Sequence, residues 1–273
     1  MMTEPPVIGA ALRPRDLPRF LPWLCDRDRD LELQGFNAPE VMDGDWRMLV
    51  AETRDMLSGW NGRLGMHGPY AGLVLDARDP EARKLAARRI DRALDIAEAL
   101  EARQVVLHSP FTLWKHQNLD TLPGAREGMT ARVQDTLGAA VERAKALGLM
   151  LVLENIEDVD PRDRAALVAS FGSDAFKLSI DTGHAHFSHG STGAPPVDVF
   201  VSLAGDQLAH IHLQDADGHA DRHWRIGQGT IRWPAVFKAL REAGTAPHLV
   251  LELRDVDDIL PSHDWLVAQG LAQ

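Results

Sequence analysis

Eight short apolar runs, each followed by a segment of helical periodicity, govern what this chain can fold into. They read VIGAAL (7–12), LELQGF (31–36), RLGMHGP (63–69) and QVVLHSP (104–110), then LMLVLENI (149–156), FKLSIDTGH (176–184), LAHIHLQD (208–215) and HLVLELRD (248–255). Several are nearly continuous in Val, Ile and Leu, the pattern of parallel strands covered on both faces. Between them, PEARKLAARRIDRALDIAEALEA carries Ala86, Ile90, Ala93, Ala97 and Leu100 as a stripe at helical spacing, with Pro80 in its first turn. The segment from Arg126 to Gly148 behaves alike and stops at a glycine suited to a C-cap. Asp160-Pro161 and Trp233-Pro234 open two further helices. This alternation predicts an α/β fold, one (β/α)8 TIM barrel over residues 1–273. An open doubly wound sheet would need a glycine-rich phosphate loop after the first strand, and none is there. No composition shift or Gly/Ser linker marks a second domain.

The runs end in a recurrent chemistry. MHGPY, LHSP, LENI, IDTGH, HIHLQD, DRH and LELRD contribute His67, His108, Glu154, Asp181, His184, His212, Asp221, His223 and Glu252. Each has an ordinary structural reading alone; nine ligand-type side chains at successive strand ends do not. Active sites of barrels gather at those ends. Glu154 and Glu252 close LMLVLE and LVLE, and Asp181 follows FKLSI. A carboxylate placed there is costly unless it is paired or bound to a cation. Asp221 and His223 alternate around Arg222 and face one way on an extended loop. His210, two before His212, points to the same side and reads as a supporting residue, whereas His186, His189 and His219 read as exposed loop histidines. Cys25 is the one cysteine, so any metal is held by nitrogen and oxygen. Zinc suits the histidine-rich sites; manganese or magnesium suits a carboxylate-rich one.

In order along the chain, ENI, IDTGHA, HIHLQD, DRHWRIGQG and LELRD resemble the motifs of the xylose isomerase-like TIM barrels. That superfamily includes sugar isomerases and epimerases as well as apurinic endonucleases of the endonuclease IV type. The resemblance covers nearly the whole chain and is most specific at Asp-Arg-His and Ile-Gly-x-Gly. In the epimerases it implies one metal on Glu154, Asp181, His212 and Glu252. In endonuclease IV it implies three zinc ions: Glu154 bridging, His67 and His108 completing one site, Asp181, His212 and Glu252 another, and His184, Asp221 and His223 a third. Two departures stand out. Gln228 lies where the family often has Glu, and of the loop side chains that endonucleases insert into DNA only Tyr70 has a counterpart.

The formal charge of −11 disfavours a phosphate-backbone partner, since little counterion-release affinity is available to an acidic surface. The basic residues of RKLAARRIDR fall on the polar side of a helix. No apolar stretch has the length to cross a bilayer, and MMTEPPVIGAALRP has no signal character, which leads us to expect a cytoplasmic protein without membrane partners. The four ligand-type residues beyond a one-metal site, His67, His108, Asp221 and His223, favour a metal-dependent phosphoester hydrolase with a di- or trinuclear zinc-type centre. Its substrate would be a small or sugar-linked phosphodiester. Arg225, Lys115 and His116 would neutralise phosphate, and Trp114, Trp224 and Tyr70 would cover the rest of the substrate. The alternatives are a sugar or sugar-phosphate isomerase or epimerase using Glu154 and Glu252 as acid and base, an abasic-site endonuclease, and a non-catalytic sugar- or metal-binding barrel.

Overall fold

The eight apolar runs form eight parallel strands that pair in chain order and close into a barrel in the computed structural model, which describes residues 4–273. The first half comprises β1 (Gly9–Leu12), α1 (Leu17–Cys25), β2 (Leu31–Leu33), α2 (Pro39–Asp43), α3 (Trp46–Met56), β3 (Leu64–His67), α4 (Pro80–Leu100) and β4 (Gln104–His108). After α5 (Leu113–Asn118) and α6 (Ala125–Leu147) come β5 (Met150–Glu154), α7 (Pro161–Ala169), β6 (Phe176–Asp181), α8 (Thr182–Thr192) and α9 (Val197–Ala204). The chain ends with β7 (Leu208–Leu213), α10 (Trp233–Ala243), β8 (His248–Leu251) and α11 (Ile259–Ala268). Ala10 pairs with Leu31 on one side and with Leu251 on the other, so β1 closes the ring. The architecture is the predicted α/β (β/α)8 barrel. No helix among the described residues is long and apolar enough to cross a membrane.

Local chemistry sets the helix bounds. In α4 the Asp79 side chain accepts from Glu81 N, Pro80 fills the first turn, and all five stripe residues are buried against the barrel. Gly148 ends α6 in the left-handed conformation, φ 66°. The strands are shorter than the apolar runs, most tellingly in β6. There the Asp181 side chain accepts from His184 N at 2.7 Å and caps α8, so the chain turns into a helix directly after the carboxylate. His184 therefore sits in a first helical turn, and His186 and His189 lie on α8 instead of on the predicted loop.

Two buried polar anchors shape the carboxyl face of the barrel. Arg164 donates from Nη1 to the carbonyls of Leu153 and Ser179 and from Nε to Asp158, whose carboxylate also accepts from Ser109 Oγ and Ile156 N. One ion pair thus ties together the loop ends after β4, β5 and β6. Asp215 does the same for the long loop after β7: its carboxylate accepts from Ala216 N, Gly227 N, Ile231 N and Trp233 Nε1. The loop passes so close that a Cβ on Gly229 would lie 2.2 Å from Ala216 O, and Gly227 has φ +88°. This explains both glycines of IGQG. The loop carries Asp221 and His223 back over the barrel mouth.

Asp158→Ala leaves the Arg164 guanidinium buried without its carboxylate, and we expect it to destabilise the fold by about 3–5 kcal/mol in denaturant unfolding. Arg164→Met in the same chain should recover part of that loss, because it removes the stranded charge.

Candidate functional site

Strand register brings the ligand-type residues together. His108 is the register partner of Glu154 across β4 and β5, and Asp181 is that of His212 across β6 and β7. Glu252 follows β8 directly. Donor atoms of Glu154, Asp181, His212 and Glu252 lie within 4.8 Å of one another. His212 Nδ1 stands 2.9 Å from Glu154 Oε1 and 3.3 Å from Glu252 Oε2. On one flank His67, His108 and Glu154 form a second cluster, and on the other His184, Asp221 and His223 form a third, at the same spacing. The structure brings all nine residues together at the carboxyl ends of the strands as adjoining clusters, the first two sharing Glu154 and the third joined to it through His184, 3.7 Å from Glu154 Oε1.

The ring tautomers make these clusters fit for a cation. A carbonyl can only accept, so the ring nitrogen facing one carries the proton. His67 Nδ1 donates to Gly68 O at 2.9 Å, His184 Nδ1 to Asn155 O at 3.0 Å, and His223 Nδ1 to Glu252 O at 3.0 Å. In each case Nε2 turns a lone pair into the pocket: from His67 towards His108 Nε2 at 3.3 Å and Glu154 Oε2 at 3.8 Å, and towards Asp221 Oδ1 at 3.5 Å from His184 and 3.1 Å from His223. His212 is reversed. Its Nε2 donates to Glu32, 3.0 and 3.1 Å from the two oxygens, which frees Nδ1 for Glu154 and Glu252. Glu154 Oε2 is buried with no hydrogen-bond partner among the described residues, 3.6 Å from His108 Nε2. A lone pair aimed at a carboxylate oxygen needs a cation between them, either a proton or a divalent ion. Imidazole and carboxylate donors held by outer hydrogen bonds are what zinc- or manganese-type sites use. His223 is also one of three non-glycine residues with positive φ among those described, at 49°. Such backbone strain clusters at sites where position matters more than comfort.

Without metal, protons take that place. Burial works against charge on His184, but Asp181, Asp221 and Glu154 outweigh it and raise the group to about 10. For His223, burial is likewise overcome by Asp221, Asp181 and Glu252, which raise it to about 9. Burial pushes the His108 ring down to about 3, which leaves it neutral. The two glutamates diverge. Burial favours the neutral form of both, yet His212, His108 and His184 hold Glu154 well below the ordinary carboxylate range, while burial and the neighbouring Glu154 raise Glu252.

Several contributors were not read from the sequence. Glu32, in the middle of β2, is fully buried and hydrogen-bonds His212; His210 Nε2 also lies 3.0 Å from it, though not in hydrogen-bond geometry. Its one signal was a lone carboxylate inside LELQGF. Gln34 donates to Glu32 and to Glu252 at 2.9 and 2.8 Å. Gln214 donates to both Asp181 and Asp221 and accepts from His223 N at 2.7 Å, tying the central and third clusters. Asn155 exchanges two hydrogen bonds with the Asp181 backbone.

The expected substrate contacts divide. Tyr70 stacks on His108 with centroids 4.5 Å apart and stands at the pocket mouth. Trp224 pairs with Asp215 on the loop after β7, under the Arg222 guanidinium, and Arg225 follows it half-buried. Trp114, Lys115 and His116 are not brought in. Lys115 is held by Asp76 at 2.7 Å and by Pro110 O, and with Trp114 it lines a separate rim cavity of about 280 Å³. His116 lies 4.0 Å from Asp163. The cause is α5, whose Thr112 cap starts a helix leading outward along the rim.

A model of the xylose isomerase-like TIM barrel family matches residues 30–269. The structure is similar to that of the TTHB071 protein from Thermus thermophilus, soaked with zinc chloride, at 26% identity and TM-score 0.71 over 96% of both chains. It also superposes on a D-tagatose 3-epimerase-like protein, at 20% identity and TM-score 0.73 over 97% of both chains. In sequence it is 23% identical to fructoselysine 3-epimerase of Escherichia coli O157:H7, over 64% of this chain and 61% of the relative. These likenesses overturn the expected phosphoester hydrolase and, with it, the abasic-site endonuclease: the names among them that state a reaction include sugar epimerases and a putative xylose isomerase. The structure supplies a physical reason. Two of the three groups expected to neutralise phosphate, Lys115 and His116, lie against carboxylates away from the pocket.

Two predictions follow from the ring geometry. A histidine raised on folding from 6.5 stabilises the protein fully below that pH and loses the effect as pH rises through its folded value. Metal-free protein should therefore lose thermal stability from about pH 6.5 towards 9–10, as His223 and His184 deprotonate. With a divalent ion present the sign reverses, because the ion must displace those protons and binds more weakly as pH falls. Parallel pH profiles with and without metal would contradict this account. Glu32→Leu, which removes the acceptor that orients His212, should weaken divalent-ion binding about 10- to 100-fold in calorimetric titration, with Glu32→Gln intermediate.

Proposed function

The chain belongs to the xylose isomerase-like TIM barrel family, and from that premise we propose that it is a metal-dependent sugar epimerase or isomerase acting at the carbon beside a ketose or aldose carbonyl. The observation that carries this reading is the pair of carboxylates, buried Glu154 and half-buried Glu252, that share His212 and are biased in opposite directions. Two such groups with separated proton affinities are the usual basis for dividing acid and base roles.

The four-residue cluster of Glu154, Asp181, His212 and Glu252 supplies the donors for one divalent cation, of manganese or zinc type, and the flanking clusters supply donors for up to two more. When bound, such a cation polarises the substrate carbonyl and an adjacent hydroxyl. Glu154, held ionised, takes the proton from the carbon beside the carbonyl; the C–H electron pair moves towards the carbonyl oxygen. Glu252, held towards its neutral form, returns a proton. Delivery to the opposite face of the same carbon inverts its configuration; delivery at the former carbonyl carbon, with the neighbouring hydroxyl proton passing to the former carbonyl oxygen, interconverts ketose and aldose. His67, His108, His184, Asp221 and His223, where not engaged by a cation, hydrogen-bond sugar hydroxyls. Tyr70 covers one side of the mouth.

Glu154→Gln and Glu252→Gln should each lower turnover of a ketose by about 100-fold or more, the scale of losing a positioned acid or base, with the barrel intact by circular dichroism. In deuterium oxide the wild-type product should carry solvent deuterium at the inverted carbon. Near-normal turnover in the metal-replete Glu154→Gln protein, or product without deuterium, would sink the reading.

A further inference from the structure

Beside the candidate metal centre, a cleft of about 720 Å³ opens between the carboxyl ends of β1, β2 and β8. Gln34, His223 and Glu252 line it on the side of the metal-ligand clusters, so whatever fills it reaches the proton-transferring carboxylate. Its outer lining includes Arg13, Arg15 and Arg254, on a protein whose formal charge is −11. Arg15 lies 3.8 Å from Asp16. Arg13 and Arg254 make no ion pair within 4.0 Å among the described residues, and Asp255, the remaining acid of the rim, caps its own turn at Asp257 N.

Both arginines are exposed on the rim of the cleft, where their guanidinium groups remain open to a ligand. The Arg13 side chain crosses from β1 to the end of β2, its Cγ 4.0 Å from where a Cβ on Gly35 would stand. Arg254 N bonds to His223 O at 2.9 Å, and its Nη2 reaches Asp221 O at 3.3 Å, so this side chain lies along the loop that carries the third cluster. A larger cavity of about 900 Å³ is also lined by arginines, but its Arg54 and Arg63 are already paired with Glu101 and Asp30. Unpaired guanidinium groups in a concave wall are suited to bidentate capture of an oxyanion. On an acidic protein they also give this side of the pocket a local positive charge that favours the approach of an anion.

We propose that the substrate is an anionic sugar, whose carboxylate or phosphate is held by Arg13 and Arg254 while its carbonyl end lies between Glu154 and Glu252. This rests on the epimerase reading for the identity of the sugar, but not for the anion site. The anionic group takes no part in bond making or breaking; it fixes which end of the sugar enters the pocket.

The test uses the metal-loaded protein and three matched substrates: a ketose, the same ketose with a terminal phosphate, and the same ketose with its terminal carbon oxidised to a carboxylate. Wild-type protein should favour one of the charged sugars over the neutral one by at least about 10-fold in kcat/KM, and which one identifies the oxyanion. Arg13→Gln and Arg254→Gln should each shrink that ratio by about 10-fold, chiefly through KM, which corresponds to one charged contact worth about 1.4 kcal/mol. In parallel, inorganic phosphate is titrated calorimetrically into wild type and both variants, all metal-loaded, so that any phosphate on the metal is common to all three. Weaker phosphate binding in the variants supports the anion site even if none of the sugars turns over; that combination would fail the epimerase reading alone. Equal phosphate binding in all three proteins, or a neutral sugar turned over as well as its charged analogues, would overturn the proposal.

Discussion

Three carboxylates, from Glu154, Asp181 and Glu252, meet one imidazole at a point largely closed to solvent, and the rest of the structure is organised around the negative charge concentrated there. Ionised carboxylates are not stable in such a place unless something positive shares it. The surrounding carbonyls settle which ring nitrogen is free to help. By fixing the protons of His67, His184 and His223 on Nδ1, they turn every Nε2 inward. The result is a pocket in which imidazoles and carboxylates face each other with room for protons or metal ions, and little else, between them.

The barrel provides this through register and through anchors that lie outside the pocket. Lateral pairing of His108 with Glu154 and of Asp181 with His212 follows from the strand alignment and requires no special loop. Asp221, His223 and Glu252 come from less regular backbone, and there buried polar groups take over. Asp215 folds the loop after β7 back on itself, and Arg164 with Asp158 joins three strand ends. Side chains that must sit within a few tenths of an ångström of a productive geometry are better held by such outer contacts than by their own.

Most of the fold was legible, because parallel barrel strands are apolar runs and a His, Asp or Glu at the end of one is conspicuous. What escaped did so for definite reasons. Glu32 is separated from His212 by 180 positions, and only closure of the ring sets one beneath the other. In LELQGF its alternation with leucine is equally that of an outward-facing strand residue. Asp181 does end β6, but its second role as the cap of α8 was not legible because it depends on the direction the chain takes afterwards. Trp114 and Lys115 have the right chemistry for a substrate pocket, but α5 carries them along the rim. The reaction was misread from the surplus of ligand-type residues. Imidazoles and carboxylates that bind a second or third metal are the same groups that bind sugar hydroxyls, so residue type alone does not separate hydrolysis from epimerisation.

Gln34 bonds at once to Glu32 in β2 and to Glu252 after β8, a span of 218 residues. The pocket is thus assembled from the two ends of the barrel, and its loop-closure entropy is met only when the last strand docks against the first. A chain still being synthesised, with β8 inside the ribosome, lacks Glu252 and so holds three of the four donors of the central cluster. The cluster of Glu154, Asp181, His212 and Glu252 is therefore complete only in the finished barrel, and a cation that needs all four donors would meet them there and not on the nascent chain.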